Sequence, residues 1–251
     1  MTGRMIFKAE FFKYLQDKKY IGVTISLAVL NVLATIYFTY LIDHMTQSGN
    51  QMETIFNGVL VTFFIMCLFA NIIFMFFYPF HLLAMDYKND VMPLLLASGV
   101  NRRKLFFSKL GATFIWVIGI TTILILIPGL IILFRLSQEA SLSVLYANII
   151  DTIRAENLSL IGLVFSFLLN YLNTLVLISL TTIMLKGRNL AILVYFGLYM
   201  CQSLILGFLQ LIPIQLQFTQ TGQFLLSSLA LFFMTIIGVI VALMSMKRQN
   251  L

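Results

Sequence analysis

From Leu110 to Phe134 the chain reads LGATFIWVIGITTILILIPGLIILF, without one charged side chain. As a single helix this run would measure about 37 Å at 1.5 Å per residue. The hydrocarbon core of a bilayer is only ~30 Å thick. Five more runs can cross in the same way, at 20–42, 56–84, 158–184, 189–210 and 223–246. Two of the six are longer than a crossing needs, so tilt or extension past the membrane is expected. The whole chain agrees with its runs: 61% of its residues are hydrophobic and 10% charged, where a soluble domain carries about 25% charged residues. These numbers predict an all-α polytopic membrane protein with six transmembrane helices. Residues 1–251 form one transmembrane domain in this reading, because no polar segment is long enough for a soluble one.

Charge gives the expected orientation. Fourteen of the sixteen Lys and Arg residues fall in the N-terminus, the 85–109 break, the 185–188 turn and the C-terminus. The opposite segments hold only Arg135 and Arg154. Basic residues stay on the cytoplasmic side of short loops, so both termini and the break are expected to be cytoplasmic, in a multi-pass protein of the cell membrane. The same rule accounts for the net charge of +7. No nucleic-acid motif accompanies it, so nucleic acid is not an expected partner.

The break between the second and third runs reads DYKNDVMPLLLASGVNRRKLFFSK, Asp86 to Lys109. Val91, Leu94, Leu95 and Leu96 form a short apolar turn, Gly99 ends it, and Arg102, Arg103 and Lys104 follow. This pattern predicts a short amphipathic helix at the membrane surface. Upstream, residues 5–19 place Phe7, Phe11, Tyr14 and Leu15 at helical spacing on one face, with Lys8, Lys13, Asp17 and Lys18 away from it. That pattern predicts an interfacial helix feeding the first span. On the outer side, 211–222 combines Pro213 with several glutamines. A re-entrant hairpin and a simple loop both fit it, the hairpin only if protein or water covers its backbone.

The spans are empty of the usual chemistry. No Lys, Arg, Asp or Glu stands in the middle of one, whereas ion-coupled transporters keep an ionisable residue there. Paired acids, a Ser/His dyad and a His-Glu metal cluster are all missing from the runs, so no catalytic or metal site is expected. Cys67 and Cys201 lie inside apolar runs and are read as packing residues. There is no Gly-Lys dipeptide and hence no GxxxxGK[ST] phosphate loop. An uphill transporter built on this chain would take its energy from a partner. In the fourth run, Ser159, Ser166, Asn170 and Asn173 follow helical spacing along one stripe with Gly162. Such a stripe either holds helices together or lines a solute path.

Six spans, an interfacial N-terminal helix and the 86–109 break together resemble the membrane subunits of ABC exporters of the type V fold. In that family an acidic residue follows the second span. A short coupling helix with a Leu-Leu pair comes next, then a small residue, a basic cluster and a lysine opening the third span. Here these positions resemble Asp86 or Asp90, Leu94-Leu95-Leu96, Ser98-Gly99, Arg102-Arg103-Lys104 and Lys109. Where the family usually has Gly-Thr before the leucine pair, this chain has Val91-Met92-Pro93. The resemblance implies that Asp86, Asp90, Val91, Leu94, Leu95, Arg102 and Arg103 meet a separate ABC ATPase subunit, present in two copies. It also implies a second permease copy or a related permease, membrane lipid around both, and no cofactor in this chain, with ATP and Mg bound by the ATPase. The absence of a large outer domain is similar to small bacterial permeases for bacteriocins and phenol-soluble modulins. The solute expected from it is an amphipathic or hydrophobic peptide, with a drug or lipid as the alternative. A non-transporting immunity or sensor component is the reading from another class.

Overall fold

The computed structural model describes residues 3–45, 51–139, 160–215 and 220–248. They form eight helices: α1 Gly3–Gln16, α2 Lys18–Met45, α3 Gln51–Lys88, α4 Val91–Ala97, α5 Arg102–Glu139, α6 Leu160–Met184, α7 Leu190–Gln215 and α8 Gln220–Arg248. Among the described residues there is no strand. All but α1 and α4 are long and apolar enough to cross a membrane. The chain is therefore an all-α polytopic membrane protein, as its six runs predict. Lipid is the solvent for much of its surface: Leu193, Phe208 and Phe134 are each about 70% exposed, which water would penalise.

The helices outrun the apolar stretches that seed them. α3 and α5 have 38 residues each, about 57 Å of helix. Each continues through an internal proline, Pro79 and Pro128. α7 likewise passes Pro213 and ends at Gln215. Of the segment 211–222, the described parts are therefore the end of one helix and the start of the next, and 216–219 lie outside the described residues. Residues 46–50 and 140–159, with Ser159, lie outside them too.

The chain divides into two compact units. The first takes the described residues of Met1–Phe11, Pro79–Phe114 and Ile150–Leu251. In it α6 packs on α7 and α8, and α7 on α8. Leu175, Val176, Thr181, Thr182, Ala191 and Ala242 are almost wholly buried there. A Cβ on Gly238 of α8 would stand 2.9 Å from Val176 Cγ1, so glycine permits the close approach of α8 to α6.

One polar clamp crosses this unit. Asn173 of α6 and Gln202 of α7 exchange amide hydrogen bonds, both 3.1 Å. The Thr235 hydroxyl of α8 donates to Asn173 Oδ1 at 3.2 Å. All three are buried. Replacing Asn173 by leucine takes the Gln202 amide's partner and one of the two acceptors of the Thr235 hydroxyl, the other being the Leu231 carbonyl, and is expected to cost ~1–2 kcal/mol. The check is the unfolding midpoint in mixed detergent, with Asn170→Leu as the near-silent control. Asn170 is exposed, and its amide donates to Ser166 on its own helix.

The second unit holds Phe12–Tyr78 and the described part of Ile115–Ile149. Tyr78 is fully buried at its centre. It stacks on Phe74 at 5.0 Å and Tyr20 at 5.2 Å. Its hydroxyl accepts a 2.6 Å hydrogen bond from Trp116 Nε1. Asn31 of α2 and Asn71 of α3 form a second reciprocal amide pair, at 2.9 and 2.6 Å.

Candidate functional site

The candidate site is the segment between α3 and α5, and the sequence builds it from two left-handed turns around one short helix. α3 stops at Lys88, and Asp90, with φ 55°, turns the chain into α4. α4 stops at Ala97, and Gly99, with φ 76°, turns it out again. Nothing lies within 4 Å of a Cβ built on Gly99, so glycine stands there for its backbone freedom. Asn101 then caps α5: its Oδ1 accepts from the Arg103 backbone N–H at 3.0 Å. An N-cap of this kind satisfies one of the orphan amides of the first turn.

Three contacts fix this segment within the first unit. The Lys109 ammonium of α5 meets Asp86 Oδ2 of α3 at 2.7 Å, with side-chain exposures of 7% and 1%. That buried pair ties together the two helices flanking α4. At the other end, Arg102 Nη1 donates to the carbonyls of Met246 and Lys247, at 2.6 and 3.0 Å. A cation there satisfies free carbonyls at the end of α8 and opposes the negative end of its dipole. Lys88 Nζ donates to Asn189 Oδ1 at 3.1 Å and lies 5.4 Å from the Phe80 ring centroid. α4 itself is pinned by Met92, 3% exposed, and by Val100 just beyond it, 8% exposed. Met92 borders a small cavity of about 20 Å³ that Thr182 of α6 and Met246 of α8 also line.

The outward side is apolar at its centre. Leu94 is 70% exposed, while Val91 and Leu95 are half-buried. Asp90, Ala97, Ser98, Gly99, Arg103 and Lys104 are exposed around it. Of the seven residues expected on a docking face, two stand differently. Asp86 is buried in the ion pair, so it positions the segment and offers nothing to a partner. Arg102 is half-buried and donates to the end of α8, where the resemblance implies a contact with the ATPase.

α1 also departs from its predicted face. Ile6, Glu10 and Tyr14 are its buried positions, while Leu15 is 52% exposed. Phe7 and Phe11 stack at 6.1 Å on its flank, both half-buried. Ser108 Oγ donates to the Gly3 carbonyl at 3.0 Å. The helix therefore turns a face containing a carboxylate toward protein, and a lipid-facing apolar stripe was the wrong criterion for it. In the α6 stripe, Asn170 bonds to Ser166 on the same helix, and Asn173 bonds to two other helices. Its partners Gln202 and Thr235 were missed; a polar residue inside each neighbouring apolar run was the available signal. Among the described residues no group of three or more His, Cys, Asp or Glu side chains could hold a metal. No family model matches the chain, and no curated protein or solved structure matches it either.

Proposed function

We propose that this chain is the membrane-spanning permease subunit of an ATP-driven exporter, powered by a separate ATPase subunit and carrying amphipathic or hydrophobic peptides. The observation that supports the reading is the seating of α4. A seven-residue helix shows an exposed leucine on one side and on the other buries Met92 beside a small cavity that residues of α3, α5, α6 and α8 also line. A push on Leu94 would pass through Met92 and the Asp86–Lys109 pair into long membrane helices. That is the arrangement a port for mechanical energy requires. In this reading the 86–109 segment faces the cytoplasm with both termini, and two permease subunits enclose the solute path. Leu94 and Leu95 enter a groove on the ATPase, and Arg103 and Lys104 lie at its rim.

The test is the double variant Leu94→Asp, Leu95→Asp. Truncation of a buried anchor at an interface typically costs at least ~2 kcal/mol, so ATPase co-purification and peptide export should both fall by more than about tenfold. The unfolding midpoint should move little for Leu94→Asp alone, because Leu94 is 70% exposed, and more for the double variant, because Leu95 is half-buried. Undiminished ATPase binding and export in the variant would remove the coupling role. Solute movement by the purified chain with an ion gradient and no ATPase would remove the exporter reading altogether.

A further inference from the structure

The second unit contains a cavity of about 310 Å³ between α2, α3 and α5. Binding pockets for small molecules run from ~300 to 1,000 Å³, so this one is at the lower end of the range. It sits deep among the spans. Asn31 on its lining is 13 residues beyond Lys18, about 19 Å along α2. Asn71 is 17 residues before Lys88, about 26 Å along α3. No lining side chain carries a charge at neutral pH. The walls are mainly aliphatic, with Thr35, Thr121 and the Asn31–Asn71 pair as the polar groups.

The amides are not equally spent. Asn71 Nδ2 donates twice, to Asn31 Oδ1 at 2.6 Å and to the Cys67 carbonyl at 2.7 Å. Asn31 Nδ2 donates once, to Asn71 Oδ1. An amide nitrogen has two hydrogens, so Asn31 keeps one donor among the described residues. A ligand bearing an oxygen acceptor would satisfy it. A carboxylate would enter without a counter-charge, at a cost of several kcal/mol. The volume favours one chain over two.

We propose that this cavity binds an uncharged single-chain amphiphile drawn from the bilayer, its alkyl chain along the apolar walls and its oxygen acceptor on the Asn31 amide. The assignment rests on the membrane-spanning fold and the cavity, and it stands apart from the exporter reading. The chain supplies its own reporter. Cys67 lines the cavity and is buried, whereas the other cysteine, Cys201, is exposed.

The experiment follows maleimide alkylation of Cys67 in a Cys201→Ser background, in detergent, as a medium-chain monoacylglycerol is added. Alkylation of Cys67 should slow about tenfold and saturate. Cys201, followed in a Cys67→Ser background, should keep its rate. The alkane of equal length and the corresponding fatty-acid anion should protect far less. Gly129 also lines the cavity, and a Cβ built on it meets nothing within 4 Å. Gly129→Leu should therefore fill the space and raise the half-protecting concentration about tenfold. If that variant does not fold, Gly129→Ala should give a shift of the same sign and about two- to threefold. An unprotected Cys67, equal slowing of both cysteines, or an alkane as effective as the monoacylglycerol would overturn the proposal. So would a half-protecting concentration that neither Gly129 variant moves.

Discussion

Asp86→Ala is expected to lower the stability of the first unit by about 3–5 kcal/mol, because it leaves the Lys109 ammonium buried without its carboxylate. Lys109→Leu should cost a similar amount by removing the cation that faces the buried Asp86 carboxylate. The two losses should not add. Asp86→Leu combined with Lys109→Leu removes both charges and fills their place with apolar groups, and such replacements are often neutral or stabilising. The double variant should therefore unfold later than either single one. Chemical or thermal unfolding in detergent, read by loss of monodispersity, separates these cases. If the single variants match the parent protein, the pair is neither dry nor tight. The comparison also bears on the proposed role. The double variant keeps its stability while losing the tie between α3 and α5, so a folded protein with weakened export would mark the pair as a transmitting contact.

Gly187→Ala should be nearly as damaging, at about 2–5 kcal/mol, from two additive causes. Gly187 has φ 72°, where an L-residue is strained. A Cβ there would stand 2.8 Å from Tyr87 Cβ and 3.2 Å from the Ala84 carbonyl oxygen. Neither is the free end of a flexible side chain. The turn 185–189 therefore rests directly against the end of α3, and backbone bonds hold its shape at the end of α6, Gly187 N–H to the Thr182 carbonyl at 2.9 Å among them. D-Alanine at 187, introduced by semisynthesis, relieves the backbone strain but moves the methyl. A partial rescue would apportion the cost between strain and contact. A change of less than about 0.5 kcal/mol on Gly187→Ala, the usual range for a surface substitution, would show that the turn is not seated as described.

The six spans were legible because a bilayer asks one question of a sequence, and apolar length answers it. α4 was legible for a related reason: left-handed turns favour glycine or a short polar residue, and Asp90 and Gly99 stand at its ends. What the sequence hid is pairing. Asp86 and Asp90 are one helical turn apart and looked interchangeable. α3 ends at Lys88, so Asp86 stays on the helix and points inward while Asp90 falls into the turn. Arg102 looked like a surface charge because its acceptors are backbone carbonyls 144 and 145 residues away, and carbonyls have no letter. On α1, Leu15 was placed on one face with Tyr14; Tyr14 is buried, but Leu15 is apolar yet exposed, as an apolar surface is when lipid replaces water. Hydrophobicity then no longer separates inside from outside, and polar residues such as Asn173 and Gln202 become the better markers of an interior.

The contact between Arg102 and the end of α8 also sets an order in time. A ribosome adds about 5–20 residues per second, so roughly 7–30 s separate the synthesis of Arg102 from that of its acceptors. During that interval the short helix has its leucines but not its seat, since Met246 has yet to be made. The site is thus among the last parts of the chain to mature, although more than half of the chain is translated after it. A nascent chain arrested before α8 should be open to proteolysis between residues 89 and 101, and the same bonds should resist cleavage once Lys247 has emerged. Shape at this site then certifies that the first unit has been assembled.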